Sequence, residues 1–170
     1  MSEDQAREMA AGFDLRPVWR LNDAEIEADA VEFWNRLKIL PADVRPEERA
    51  KELAAVAYRD GRLAAVCTLQ LARLEQVRAR LGMIRSATDP DHRRSHVAQA
   101  LTIYARELLE AWAAEHPEEK VAGMGAIIQS DDLRGRGKDP VWPTTRLNLI
   151  GYTPDDNQVR VCWFEGFRLD

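Results

Sequence analysis

From Val97 onward the apolar residues fall at Val97, Leu101, Tyr104, Leu108 and Trp112. That three-to-four-residue step puts them on one buried face of a long helix, with Arg106, Glu107 and Glu110 expected on its wet side and Pro117 beyond its end. Upstream, residues 15–21 have strand character, and Pro17, which has no N–H to give a ladder, argues for a sheet edge. Asn22 or Asp23 is placed to cap a helix that runs to about Leu37 and turns Ile26, Ala30, Phe33, Trp34 and Leu37 inward. Pro41 ends it. Pro46-Glu47-Glu48 supplies the proline and acidic first turn of another helix, expected to carry Leu53 and Ala54.

The later runs read as strands. Asp60-Gly61 between apolar stretches is a strong hairpin signal, and residues 63–71 follow as its second arm. Residues 81–88 form the next strand, and 121–128, glycine-interrupted but continuously apolar, resemble a central one. After a charged loop over 131–140, the pattern predicts a short helix at 143–150 with Gly151 past its end, then a last strand at 158–164. Residues 1–13 are read as a polar, loosely attached leader and 14–170 as one domain, without internal repeats or low-complexity tracts.

Composition narrows the function classes. A chain of 170 residues, 45% hydrophobic and 31% charged, suits one globular domain with a proper core. Its 24 Lys and Arg against 29 Asp and Glu give −5, which disfavours nucleic acid or an anionic membrane as a partner and leaves room only for a local basic site. The first residues lack an apolar export core and no run is long enough to span a bilayer, so the expected address is cytoplasmic. Cys67 and Cys162 are too few for a disulfide framework and have no metal-ligand spacing; each is expected to be a buried small hydrophobe, and no metal site is expected.

The chemistry concentrates where the 81–88 run meets the long helix. Asp89-Pro90 ends the run, and Arg93, Arg94 and Ser95 occupy the turn before Val97. The first turn of a helix leaves N–H donors without intrahelical partners, and the macrodipole adds partial positive charge there. Two cations and a hydroxyl around such donors make a site suited to phosphate, the alternative being an ordinary exposed loop whose arginines are only solvated.

Arg93-Arg94-Ser95-His96-Val97-Ala98, between a strand and a helix, resembles the signature Arg/Gln-x-x-Gly-x-Gly/Ala of the GCN5-related N-acetyltransferase (GNAT) family, whose helix N-terminus grips the pyrophosphate of acetyl-coenzyme A. Arg93 falls on the first position and Ala98 on the last, while His96 stands where the family usually has glycine. The order of segments over roughly Leu15 to Leu169 follows the family too. The resemblance implies an α+β fold, three-layer α/β/α, with a mixed, mostly antiparallel central sheet. It implies acetyl-CoA as acyl donor and an N-acyltransferase acting on a small-molecule or peptide amine. The strand before the turn would splay from its neighbour and pair with the pantetheine arm, so Ala87 and Thr88 join Arg93, Arg94, Ser95, His96, Val97 and Ala98 as cofactor-binding positions.

Two family positions lack a proton-transfer group here. The strand carboxylate used by many members falls near Gly82, and the tyrosine four residues before Gly151-Tyr152 falls on Leu147. No catalytic residue is therefore assigned, and the alternative reading is a non-catalytic acyl-CoA-binding or regulatory module of the same fold. Tyr152 is read as an aromatic plug rather than a substitute acid, and His96 as a capping or solvent-facing residue. Arg134-Gly135-Arg136-Gly137-Lys138 is read as a lid rather than a second phosphate loop, because no useful helix follows it. Trp34, Trp142 and Trp163 are read as core before acceptor pocket. A DNA-recognition role for 92–106 is disfavoured by the acidic net charge and the apolar helix face. The final apolar strand, Val159 to Phe164, leaves room for a homodimer by pairing across subunits.

Overall fold

Asp60 and Gly61 both take positive φ, 51° and 75°, as a two-residue turn with the twist of its flanking strands requires. They join β2 (Leu53–Arg59) to β3 (Arg62–Leu74). The computed structural model describes residues 1–130 and 138–169. The other elements are α1 (Glu3–Met9), β1 (Asp14–Pro17), α2 (Ala24–Leu37), α3 (Pro46–Ala50), β4 (Ala79–Thr88), α4 (Val97–Glu115), β5 (Val121–Ile128), β6 (Val141–Trp142), β7 (Leu147–Tyr152) and β8 (Gln158–Trp163).

The strands form one sheet in the order β1-β2-β3-β4-β5-β8-β7-β6. Pro17 lies in β1 at the edge. Neighbours are antiparallel except β4 and β5, which run parallel and are connected through α4. The fold is therefore α+β with a mixed, mostly antiparallel sheet between helical layers. Asp23 Oδ1 accepts from the amides of Glu25 and Ile26, capping α2, whose Ile26, Ala30, Phe33 and Trp34 pack with Val56, Tyr58 and Val66 on one face of the sheet. On the other face, Val97, Ala100, Leu101, Ala105 and Leu109 of α4 pack on Ala55, Ala65, Cys67 and Ile84.

Four expectations are corrected. Residues 1–13 are not a loose leader: Ser2 caps α1 through a reciprocal pair with Gln5, Ala6 is fully buried, and Ala10 and Phe13 join the core. For the same reason Arg106 is not on a wet face. Its side chain is 4% exposed and meets Glu3 in a two-point ion pair at 2.9 and 3.0 Å, because α1 packs along α4. The helix begun at Pro46 stops at Ala50, and Leu53 and Ala54 belong to β2, where the apolar run fits a strand buried on both faces. Residues 147–152 form β7 instead of ending a helix, since Leu147 is buried and Asn148 to Tyr152 pair with β8. Cys67 and Cys162 are free and buried. Among the described residues no helix is long and apolar enough to cross a membrane.

Candidate functional site

β4 and β5 pair only as far as Ile84, opposite Ala126. Beyond that point Arg85 to Thr88 stay bonded to β3, and Ile127 and Ile128 stay bonded to β8. The two facing edges do not pair with each other, so the parallel strands open into a wedge. Strand edges present N–H and C=O groups that an extended chain can bond. Ala87 and Thr88 sit at the wide end, both half-buried, and Ala87 leans on the α2 cluster.

The turn that follows leads from this wedge to the start of α4. Asp89 Oδ1 accepts from the Asp91 amide and caps the short 3₁₀ turn at Pro90–His92. The His92 ring packs edge-on against Phe13, with centroids 5.4 Å apart. Arg93 and Arg94 are exposed and, among the described residues, form no ion pair. Ser95 turns its hydroxyl inward, donating to His92 O at 2.6 Å and accepting the Val97 amide at 3.4 Å. His96, at the N-cap of α4, has φ 62° and ψ 7° and makes no side-chain cap. The left-handed conformation that glycine adopts freely is thus adopted by histidine, one of the side chains enriched there. Arg94 is left-handed too, at φ 70°. Val97 is buried in the core, whereas Ala98 and Gln99, half-buried in the first turn, have amides that no carbonyl of the helix reaches.

A support that the sequence reading missed comes from α2: Arg36 Nη1 donates to Asp89 Oδ2 at 2.8 Å. Burial alone would raise the Asp89 carboxyl, but the Asp91 amide, the Arg36 hydrogen bond and charge, and His92 outweigh it and hold the carboxyl below its usual range. Asp89 had registered only as punctuation before Pro90, because its partner lies 53 positions away.

The two positions without proton-transfer groups prove to be packing positions. A Cβ on Gly82 would lie 2.3 Å from Leu109 Cδ2, so position 82 looks at α4. Leu147 is 3% exposed and belongs to the core. Tyr152 is 55% exposed. Trp34 is core, Trp142 packs against the core with the buried Arg160 guanidinium 3.9 Å above its ring, and Trp163 is 37% exposed. Of the 134–138 stretch, all but Lys138 lies outside the described residues.

No family model and no curated protein matches the sequence. Solved structures do resemble the fold. A ribosomal-protein-S5-alanine acetyltransferase from Vibrio fischeri superposes with TM-score 0.57 at 8% identity, covering 93% of this chain and 96% of that one. A GNAT-family acetyltransferase from Streptococcus pneumoniae gives 0.54 at 13% identity, covering 88% and 96%. A mutant AtaT toxin bound to the C-terminus of the antitoxin AtaR gives 0.56 at 10%, covering 89% and 93%. These likenesses show that the chain has the GNAT fold.

Proposed function

We propose that this protein is an acyl-CoA-dependent N-acyltransferase with acetyl-CoA as donor and an amine as acceptor. The observation that carries this reading is the wedge: two parallel edges that, among the described residues, stop pairing with each other beyond Ile84 and Ala126, next to a helix N-terminus preceded by Arg93 and Arg94. The fit is chemical at each end. A pantetheine arm carries amides that can bond the 85–88 edge as a strand would, and a pyrophosphate suits the Ala98 and Gln99 amides at the positive end of α4. Arg93 and Arg94, exposed and without an ion pair among the described residues, add two guanidiniums to that turn, while Ser95 and His96 shape it and Val97 anchors it. When bound, acetyl-CoA supplies a thioester whose acyl carbon an amine attacks.

The chain's own contribution is positioning. Holding two reactants in register supplies much of an acceleration without a dedicated proton carrier, which is consistent with apolar packing at Gly82 and Leu147. That same packing favours, as second reading, a CoA-binding module without turnover. Thiol release from acetyl-CoA across an amine panel, beside direct calorimetry with CoA, separates them. Binding with amine-dependent thiol release supports the transferase, binding alone supports the module, and absence of binding defeats both.

A further inference from the structure

Arg85 stands where β4 and β5 part, one residue beyond the last pair, Ile84 with Ala126. Its side chain leaves the sheet on the α2 face. That face is fixed by its cross-strand partner Thr68, which lies opposite Leu53, and by Ala87 two residues on, which packs on the α2 cluster as Leu53 does. Among the described residues this guanidinium makes one hydrogen bond, from Nη2 to Gln70 Oε1 at 3.3 Å. Its other contact, Nη1 to Glu52 Oε2 at 3.7 Å, is too long to be a hydrogen bond. Arg49 Nε faces the same oxygen at 3.6 Å. Two guanidiniums therefore share one carboxylate, and Glu52 Oε2 is buried without a hydrogen-bond partner among the described residues. Thr68, 2% exposed and directly across from Arg85, also has its hydroxyl oxygen unpartnered among the described residues.

The cluster thus holds a surplus positive charge with unused donors, placed beside the narrow end of the wedge. Burial and the neighbouring Arg49 hold the Arg85 guanidinium below its usual pKa, the Glu52 charge only partly opposing them. A further anion at this point relieves that cost. The planar guanidinium fork matches a carboxylate in two parallel hydrogen bonds, and half of the Arg85 side chain is open to solvent to receive one.

We propose that the acceptor amine carries a carboxylate, which docks on Arg85 on the α2 face and brings the amine to the vertex of the β4–β5 wedge. The inference rests on the acyltransferase reading and adds to it a substrate class, free amino acids or other amines with an adjacent carboxylate. Arg85 then selects the acceptor, with Gln70 orienting its guanidinium and Glu52 remaining the counter-ion of Arg49.

The test uses the full chain saturated with acetyl-CoA. Free α- and ω-amino acids and their uncharged amides are titrated in matched pairs, read by calorimetry and by thiol release. At least one acid is expected to bind or react ten-fold or more better than its amide. Arg85→Gln is expected to abolish that preference and Arg85→Lys to keep part of it. Acids that bind no better than amides, acids that fail to bind a CoA-loaded protein, or a preference surviving in Arg85→Gln would overturn the proposal. CoA affinity is measured separately without acceptor; its absence would instead bring down the acyltransferase reading, and this proposal with it.

Discussion

Arg36 and Asp89 join across the molecule, Nη1 to Oδ2 at 2.8 Å, so the last turn of α2 is bonded to the residue at which β4 gives way to the basic turn. The geometry of the turn thereby depends on a helix packed on the opposite face of the sheet from α4.

Arg36→Ala should therefore loosen the turn without dissolving the core. The lost charge-assisted hydrogen bond predicts about 1–2 kcal/mol less stability, since Arg36 is partly exposed, and a several-fold weaker CoA affinity. Urea denaturation and calorimetry read the two effects. The pH dependence has a definite sign. The folded Asp89 carboxyl titrates below its unfolded counterpart, so its contribution is complete above the unfolded value, about 4, and is lost as pH falls through the lower folded one. Melting curves from pH 6 downward should show the wild type losing more stability through that acid window than Arg36→Ala does.

Arg93→Glu reverses a charge on an exposed residue with no ion pair among the described residues. It should leave the melting temperature nearly unchanged. CoA affinity should fall about tenfold or more, the equivalent of about 1.4 kcal/mol for one charge-assisted contact. Unchanged affinity would remove Arg93 from the site.

Glu3→Gln removes the partner of the buried Arg106 guanidinium while keeping its shape. The Arg106 hydrogen bond, resisted by burial and helped by the charges of Arg106 and Arg146, holds the Glu3 carboxyl below its usual range. The variant should lose about 2 kcal/mol, less than the roughly 3–5 kcal/mol of a fully buried pair because Glu3 keeps some exposure. Hydrogen exchange should show α1 opening first, and a wild-type exchange pattern would contradict the pairing as its anchor.

Burial pushes the Cys67 thiol up to about 12, the Ala55 backbone hydrogen bond only partly opposing it, and raises Cys162 as well. A thiolate is the reactive form, so the folded protein should give almost no signal with a thiol reagent at pH 8 and two thiols once unfolded. The thiol-release assay for acyl transfer therefore has a low protein background.

Local signals made much of this legible. Periodicity marked α2 to within a residue, the Asp-Gly pair marked the β2–β3 turn, and the charge pattern marked the turn before α4. What failed was non-local. Arg106 looked solvent-facing because the sequence does not show α1 lying along α4, and a helix was expected near 143–150 because the pairing that makes β7 comes from β8, beyond it in the chain. At the site, the basic turn was legible whereas Arg85 was not, since a lone arginine in a strand gains meaning only from where β5 departs. Gly82 is a similar case. Its missing carboxylate was visible in the sequence, but its orientation toward Leu109 was not.

The most direct check on the wedge is amide NMR of the labelled protein titrated with CoA. The largest shifts are expected at 85–88 on the β4 edge and at Ala98 and Gln99 in the first turn of α4. Saturating CoA that leaves those amides unmoved, or moves a different surface, contradicts the account.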